Sequence, residues 1–262
     1  MNKIFIIKIG GNVLDDEEAL KRFLQDFSEL PGPKILVHGG GKIASRIGDK
    51  LGIPSRYIDG RRITDAETRD LVTMVYGGLV NKRIVAALQR LGCNALGLTG
   101  ADGNVIQAVK RPVKEIDYGF VGDIIAENVD STWLQDLLDR KIVPVFAPLT
   151  HADGHILNTN ADTIASVLAI ALSSFAEVRL IYCFEKKGIL RDVNDPTSVI
   201  HHLTENLYGE LLTSKALIDG ILPKLENAYA AIHAGVSEVL IGEAGDLTKN
   251  VGRETEGTLI TA

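Results

Sequence analysis

Aromatic residues are scarce in this chain, since Phe, Trp and Tyr together make up 5% of its 262 residues. Hydrophobic residues still reach 45%, so a core of ordinary size has to be built mainly from Ile, Leu, Val and Ala. Cysteine is nearly absent as well, and Cys93 and Cys183 lie far apart in or beside apolar runs. This excludes a disulfide framework and a cysteine-based metal motif, and it predicts two buried free thiols.

An excess of positive charge is also missing. The formal net charge is −6, which argues against a nucleic-acid-binding surface, so any phosphate site has to be local. No uninterrupted apolar run approaches the roughly 20 residues that cross a bilayer, and the start of the chain becomes glycine-rich too soon for a signal peptide. We therefore expect a cytoplasmic protein without a nucleic-acid or membrane partner.

Histidine spacing gives no sign of a metal site. The six histidines stand in no spacing with Cys or Glu that is typical of metal ligands. We expect no metal ion held by protein side chains alone, and we expect His38, at the end of an apolar run, to be structural.

Short β-branched runs alternate with longer amphipathic segments along the chain. Ile4–Ile9 and Pro33–His38 have the pattern of buried strands, and each is followed by glycines and then by a helical pattern. Asp65–Leu91 has the pattern of a long helix that is softly broken at Gly77-Gly78. The alternation predicts an α/β fold, a three-layer αβα sandwich with a mostly parallel central sheet.

Two glycine loops follow the first two predicted strands, at Gly10-Gly11 and at Gly39-Gly40-Gly41. Glycine lets backbone N–H groups approach a phosphate closely, and the start of the next helix adds a favourable dipole. Because the carboxyl ends of parallel strands meet at one edge of a sheet, the two loops together predict an anion site. For either loop alone, a tight strand-to-helix turn is an equal alternative.

The second loop also fits a dinucleotide-binding pattern. Gly39, Gly41 and Ala44 match G-x-G-x-x-A after a strand, and Asp59 stands where a ribose-binding acid belongs. An NAD(P)-dependent oxidoreductase is therefore an alternative function, although this pattern is unspecific. A Walker A loop is excluded, because Lys42 is followed by Ile and the upstream glycine is missing.

Two lysines occupy positions that are unfavourable without an anion. Lys8 lies inside the apolar run of the first strand, where a charge is costly unless it is paired. Lys224 follows Pro223 in the first turn of a predicted helix, where the helix dipole disfavours a cation. A bound phosphate would remove both objections. The alternatives are a Lys8 that reaches solvent and a Lys224 that is an ordinary surface residue.

Polar residues are dense in two further segments. Asn158–Asp162 runs from a predicted strand into a helix, which suggests amides for a ligand and a carboxylate for the lysines, although helix capping explains each residue singly. Arg61 and Arg62 follow Gly60 and can clamp a carboxylate through bidentate bonds. A solvated arginine pair in a turn is the alternative.

Six ordered motifs resemble the acetylglutamate kinase branch of the amino acid kinase family. They span nearly the whole chain, and they are Ile6–Leu14, Val37–Lys42, Asp59–Thr64, Asn158–Asp162, Asn194–Pro196 and Gly220–Ala228. Gly100–Gly103 and Asp117–Ile124 resemble that branch too, and they separate the chain from the carbamate, uridylate and glutamate 5-kinase branches. The resemblance implies transfer of the ATP γ-phosphate, with Mg²⁺, to the side-chain carboxylate of N-acetyl-L-glutamate or a close N-acylglutamate, an early step of arginine biosynthesis.

The resemblance also implies roles for single residues. Lys8 and Lys224 would bind the transferring phosphoryl group from two sides, and Asp162 would orient both lysines. Gly10 and Gly11 would donate backbone N–H groups to the ATP phosphates. The residues expected to bind the acylated glutamate or the phosphoryl group beside it are Gly40, Gly41, Arg62, Asn158 and Asn160.

The nucleotide end departs from the family pattern. The resemblance implies that residues 173–262 form an ATP lobe and that residues 1–172 bind the acylglutamate and form a homodimer. Glu185, Gly188 and Leu190 would lie near the adenine and ribose, but Glu185 replaces the usual Asp and is followed by two lysines. The first strand begins too early for the extra helix of arginine-inhibited members, so we expect an arginine-insensitive enzyme.

Overall fold

Aliphatic residues build the central strand of the fold. The structure is a computed structural model that describes residues 3–192, 195, 197–213, 222–252 and 254–262, and of residues 213 and 222–224 only the backbone. Strand β1 spans Ile4–Ile9, as the sequence predicts, and all of its residues except Lys8 are buried. The predicted second strand begins one residue later than expected, as β2 (Lys34–His38).

One large sheet dominates the described residues, and its strands are ordered β12-β14-β13-β11-β1-β2-β8-β5. Neighbouring strands pair in parallel except β13 and β14, so the expectation of a mostly parallel sheet is confirmed. The strands after β2 are β3 (Tyr57–Ile58), β4 (Arg61–Arg62), β5 (Ala95–Leu98), β6 (Val109–Lys110), β7 (Gly122–Asp123), β8 (Val143–Phe146), β9 (Leu149–Ala152), β10 (His155–Asn158), β11 (Val178–Phe184), β12 (His202–Leu203), β13 (Glu238–Glu243) and β14 (Thr258–Ile260).

Helices cover both faces of this sheet. They are α1 (Gly11–Asp15), α2 (Glu17–Glu29), α3 (Gly41–Leu51), α4 (Ala66–Val72), α5 (Asn81–Arg90), α6 (Ser131–Asp139), α7 (Ala161–Ser173), α8 (Glu205–Thr213), α9 (Leu222–His233) and α10 (Leu247–Asn250). Strands β3 and β4, β6 and β7, and β9 and β10 form three small antiparallel pairs beside the sheet.

Alternation along β1 gives each face of the sheet its own core. Ile4 and Ile6 pack with residues of α6, α7 and α9, whereas Phe5, Ile7 and Ile9 pack with residues of α2, α4 and α5. The predicted three-layer αβα architecture is therefore confirmed. By the same alternation, Lys8 points to the α7 side of the sheet.

The long predicted helix does not break at its two glycines. Helices α4 and α5 are joined without interruption by a π-helical segment, Thr73–Val80, which contains Gly77 and Gly78. Among the described residues, the resulting helix Ala66–Arg90 is long and apolar enough, by length and composition alone, to cross a membrane, and 44% of its most apolar stretch is buried in this fold. The core helix of a globular protein meets the same criterion. Buried Tyr76 of the π-helical segment contacts the second glycine loop at Gly40.

A buried arginine ties the start of β11 to the end of the chain. Arg179 Nε donates to Glu238 Oε2 at 2.5 Å, and its Nη1 donates to the carbonyls of Asn250 and Gly252 at 2.9 and 2.7 Å. Burial pushes the pKa of Glu238 up, but hydrogen bonds from Arg179 and Lys3 outweigh it and hold that pKa below its ordinary value. The folded state therefore favours the ionised carboxylate.

Arg179→Met should lower the free energy of unfolding by about 3 kcal/mol, because Glu238 and two carbonyls lose their buried donor. Urea denaturation measures this loss. The stability that Glu238 contributes is complete above its ordinary pKa and disappears as the pH falls through its folded pKa, so the loss should shrink in acid. Lys249→Met, which removes exposed ion pairs with Asp246 and Glu256, should leave the free energy of unfolding nearly unchanged, because water screens such pairs. Equal losses of unfolding free energy in Arg179→Met and Lys249→Met would contradict the stabilising role of Arg179.

Candidate functional site

The candidate site lies where the strand order reverses. Strand β1 pairs with β2 on one side and with β11 on the other, and all three run parallel. Their carboxyl ends therefore open at one edge of the sheet, next to a topological switch point, where α/β folds bind ligands. Both predicted glycine loops and the turn after β11 meet at this edge.

An ion pair between β1 and α7 stands at the centre of this edge. Lys8 Nζ lies 2.7 Å from Asp162 Oδ1, and the two side chains are 13% and 26% exposed. This carboxylate oxygen is buried and has no other polar partner among the described residues, so Lys8 compensates it. A Cβ added to Gly10 would lie 3.5 Å from the same ammonium, which places the charge directly beside the first glycine loop.

The start of α7 fixes Asp162 in place. Asn160 is the N-cap, and its side-chain oxygen accepts hydrogen bonds from the backbone N–H groups of Asp162 and Thr163 at 2.7 and 3.2 Å. The capping alternative is thus realised for Asn160, while its role as a substrate ligand stays a prediction. Asp162 itself lies in the first helical turn with its carboxylate turned to Lys8.

A buried tyrosine supports the same turn. Tyr182 is the register partner of Lys8 across β1 and β11, and its hydroxyl donates to the backbone carbonyl of Asp162 at 3.3 Å. Burial, and after it the charge of Asp162, raises the pKa of Tyr182. The next residue, Cys183, is a buried free thiol whose pKa burial raises to about 12, and Cys93 is buried and free as well. Both thiols therefore match the expectation from the sequence.

The two glycine loops touch each other. Gly39 N–H donates to the carbonyl of Ile9 at 3.0 Å, and a Cβ on Gly39 would lie 3.9 Å from Gly10 Cα. Gly40 has φ +152°, and a Cβ there would lie 2.9 Å from the ring of Tyr76. Backbone conformation and packing thus both require glycine at position 40.

A neutral histidine holds the second loop from below. His38 is fully buried, its Nδ1–H donates to the carbonyl of Gly39 at 2.7 Å, and its Nε2 accepts from Asn81 Nδ2 at 3.2 Å. Burial lowers the pKa of His38 to about 4. The ring is therefore uncharged at pH 7, and the prediction of a structural histidine is confirmed.

Arg62 is buried, whereas Arg61 is exposed. Arg62 Nη2 donates to the carbonyl of Gly41 at 2.8 Å and to Ser45 Oγ at 3.0 Å, and Nη1 donates to Ser55 Oγ. Three of its five N–H donors are thus engaged by protein groups. A solvated arginine pair is wrong for Arg62, and a substrate carboxylate would have to compete with two serine hydroxyls for it.

Asn158 lies next to the Arg62 segment. Its Nδ2 donates to Thr64 Oγ1 at 3.1 Å, and Thr64 Oγ1 in turn donates to the carbonyl of Arg62 at 3.3 Å. Strand β10 and the β3–β4 pair are thereby joined through one buried threonine. Hydrogen bonds connect Gly41, Arg62 and Asn158 into one group, and their expected roles as substrate ligands stay predictions.

The turn after β11 gives less definite geometry. Glu185 is exposed, whereas a Cβ on Gly188 would lie 2.7 Å from Thr258 Oγ1, and Leu190 forms a β-bridge with Val199. Packing therefore explains Gly188 and Leu190 without a nucleotide, and their expected contacts with adenine and ribose stay predictions.

Lys224 is the third residue of α9, and its side chain lies outside the described residues. Of the Asn194–Pro196 motif only Asp195 is described, and of the Gly220–Ala228 motif Gly220 and Ile221 are not. Within the described ranges no group of three or more His, Cys, Asp or Glu side chains could hold a metal ion.

Sequence reasoning gave no role to Tyr182 or Lys42, and it did not find Tyr76 and Asn81 beneath the second glycine loop. The pairing of β1 with β11 reveals the role of Tyr182, because residues in register point to the same face of the sheet, and Tyr182 is in register with Lys8. The available signal for Lys42 is a cation in the first turn of α3, the same feature that marks Lys224.

An αβα fold with two glycine loops and a lysine–aspartate pair at its switch point is the arrangement expected of an α/β enzyme that binds phosphate without a Walker A loop. Residues 3–243 match the model of the amino acid kinase family, and the chain belongs to that family.

Curated relatives match nearly the whole chain. The acetylglutamate kinase of Bacteroides thetaiotaomicron is 55% identical over 251 residues, which cover 95% of this chain and 97% of the relative. The acetylglutamate kinase of Cytophaga hutchinsonii is 53% identical over 265 residues and 100% of both chains. The fold also matches the N-acetylglutamate synthase of Neisseria gonorrhoeae with a TM-score of 0.83 at 23% identity, over 99% of this chain and 59% of that one.

The oxidoreductase alternative has no support in these comparisons. Asp59, its expected ribose-binding acid, lies with φ 49° in the turn between β3 and β4 and not at the end of a strand of the main sheet. The pattern at Gly39, Gly41 and Ala44 is explained by the turn from β2 into α3.

Tyr182→Phe should lower the phosphotransfer rate about threefold to tenfold, the equivalent of one ordinary hydrogen bond, because the turn that carries Asp162 loses a restraint. The ring still packs, so the melting temperature should hardly change. Steady-state kinetics and thermal unfolding measure the two effects.

Tyr229→Phe is the matched control, since the hydroxyl of buried Tyr229 donates to the carbonyl of Leu203 at 3.1 Å. It should leave the rate unchanged. The positioning role of Tyr182 is wrong if the two variants have the same rate as the wild type.

Proposed function

We propose that this protein transfers the γ-phosphate of ATP to the side-chain carboxylate of N-acetyl-L-glutamate, or a close N-acylglutamate, and forms an acyl phosphate in arginine biosynthesis. The observation that carries the proposed chemistry is the pair of Lys8 and Asp162 beside the glycine loops, 2.7 Å apart. The substrate is inferred from curated acetylglutamate kinases that share 53–57% identity with nearly the whole chain.

The acceptor needs no general base. A glutamate side chain has a reference pKa of about 4.3 and is ionised at pH 7. The site therefore needs positive charge and N–H donors, not a proton acceptor. Lys8 and the glycine loops supply these, whereas neutral His38 is engaged at both ring nitrogens.

The transfer is an in-line displacement. A carboxylate oxygen forms a bond to the γ-phosphorus while the bond from that phosphorus to the β,γ-bridging oxygen breaks, and ADP leaves with the electron pair. Lys8 and the N–H groups of Gly10 and Gly40 bind the oxygens on which charge develops. Asp162 keeps the Lys8 ammonium at this position and takes no proton.

Mg²⁺ fits this site as a companion of the nucleotide. It prefers oxygen ligands and commonly keeps phosphate oxygens and waters with few protein ligands. The carboxylate of Asp162, beside Lys8, already pairs with that lysine. Phosphate oxygens of ATP would therefore hold the ion, and its charge would offset that of the phosphates.

Lys224 is the second phosphoryl-binding lysine. Helix α9 ends shortly before β13 begins, and β13 runs parallel to β11 and β1. The helix therefore ends near the amino edge of the sheet, where β13 begins. Its first turn, which contains Lys224, lies toward the carboxyl edge. This direction supports a position opposite Lys8 across the glycine loops.

The acylglutamate lies on the side of the glycine loops that is opposite to ATP. Gly40 and Gly41 face its reacting carboxylate, and Asn160 lies beside it at the start of α7. Its α-carboxylate binds to Arg62 and Asn158 and takes the place of the Ser45 and Ser55 hydroxyls on the guanidinium. Residues 1–172 form the lobe that binds the acylglutamate. Residues 173–262 form the ATP lobe, in which Glu185, Gly188 and Leu190 lie near the adenine and ribose.

The protein acts as a homodimer through the long helix Ala66–Arg90. Met74 on this helix is 58% exposed, and a Cβ on Gly78 would meet open space, so a second copy can approach closely. Exposed apolar surface on a helix of this kind favours association.

The proposed activity predicts that MgATP and N-acetyl-L-glutamate together yield ADP and an acyl phosphate that hydroxylamine traps as a hydroxamate. Lys8→Met and Lys224→Met should each lower kcat about 100-fold to 1,000-fold, because charge on the moving phosphoryl group loses a fixed cation. The KM for MgATP should change much less.

Lys50→Met, at the exposed end of α3, is the control and should behave as wild type. Larger N-acylglutamates in the same assay measure the acyl preference. Near-normal kcat in both site variants would disprove the mechanism, and no hydroxamate with any acylglutamate would disprove the function.

Met74→Glu should convert the dimer to monomer, because a charge would then face its own copy in an apolar contact. Sedimentation velocity measures the mass of the particle. Phe175→Glu, another exposed apolar position at 47%, should leave the dimer intact. A wild type that sediments as a monomer would refute the dimer.

A further inference from the structure

Lys42 lies between the two glycine loops. It is the second residue of α3, and the stem of its side chain lies against the other loop, where a Cβ on Gly11 would be 3.5 Å from Lys42 Cδ. Its ammonium lies 2.7 Å from Asn12 Oδ1 and 3.8 Å from Asp15 Oδ2. Lys42 thus belongs to the second loop in sequence and to the first loop by contact.

The protein partners of the Lys42 ammonium hold it only weakly. A cation in the first turn of the 11-residue helix α3 is opposed by the helix dipole, and N-cap Gly40 offers no side-chain oxygen to the free N–H groups there. The near partner of the ammonium is a neutral amide, and the carboxylate of Asp15 is too far for a hydrogen bond. The Lys42 side chain is 68% exposed, so it can turn to a ligand without unfolding anything.

Two lysines flank the same glycine pair. The Lys8 ammonium lies 3.5 Å from the Cβ position of Gly10, and the Lys42 stem lies 3.5 Å from that of Gly11. Lys8 is largely buried and paired with Asp162, whereas Lys42 is exposed and held by an amide. An anion on the N–H groups of this loop would therefore meet a fixed cation from inside and a movable one from outside.

We propose that Lys42 is a third cation of the phosphate site, which leaves Asn12 when MgATP binds and donates to a phosphate oxygen of the nucleotide. This inference rests on the proposed kinase function and adds a nucleotide-binding residue to it. Asn12 then acts as a resting partner that keeps the ammonium near the loop and competes with the phosphate for it.

The test is the affinity for MgATP in matched variants. Lys42→Met should raise the KM for MgATP, and the Kd of the non-hydrolysable MgAMP-PNP by calorimetry, about tenfold, the loss of one charge-assisted hydrogen bond. The KM for N-acetylglutamate should not change. Lys42→Arg should restore most of the affinity, and Lys50→Met in the same helix should have none of these effects.

The Asn12→Ala variant distinguishes two roles of Lys42, that of a phosphate ligand and that of a structural link between the two loops. If Lys42 binds phosphate, losing its resting partner should leave the Kd of MgAMP-PNP equal or lower. If Lys42 only ties the loops together, Asn12→Ala should weaken binding as much as Lys42→Met does, and that result would overturn the inference. Wild-type affinity in Lys42→Met would overturn it too.

The two levels of the hypothesis fail differently. An inactive wild-type protein that binds no MgAMP-PNP would refute the kinase function itself. An active wild type with a Lys8→Met variant of very low kcat, and a Lys42→Met variant with normal nucleotide affinity, would refute only the role of Lys42.

Discussion

The ion pair between Lys8 and Asp162 is the constraint on which the site depends. A lysine near the end of a buried strand is costly to desolvate, and its pairing with a carboxylate from α7 makes that position tolerable. The pair can form only because α7 starts at the carboxyl edge of the sheet, with Asn160 capping its first turn. Fold and charge are thus linked, since the helix that covers β1 also delivers the counter-ion of its lysine.

The groups around this pair are positioned by contacts within the fold. His38 fixes the carbonyl of Gly39, and the ring of Tyr76 fills the space in which Gly40 would otherwise carry a Cβ. Tyr76 reaches that position from the π-helical segment, so a local irregularity of a long helix shapes the second loop. Donors fixed in advance are what the stabilisation of a migrating phosphoryl group requires.

Local patterns were enough to predict some features and not others. The aliphatic run Ile4–Ile9 and the glycines after it predict strand and loop correctly, because both depend on neighbouring residues. The register between Lys8 and Tyr182 depends on which strands pair, and a single sequence does not contain that information. In place of the break expected at Gly77-Gly78, the helix continues through a π-helical segment, a backbone geometry that two glycines alone do not specify. Arg61 and Arg62 look alike in sequence. Their successive positions on β4 point to opposite sides, so that Arg62 is buried and Arg61 is exposed.

The most direct measurement is a crystal structure of the enzyme with MgADP, tetrafluoroaluminate and N-acetyl-L-glutamate, in which the fluoride complex takes the place of the migrating phosphoryl group. The account predicts that the Nζ atoms of Lys8 and Lys224 lie within about 3 Å of its ligands, on two different sides. A closed complex in which Lys224 points away from the fluorides, or in which Lys8 remains bound to Asp162 alone, would contradict it.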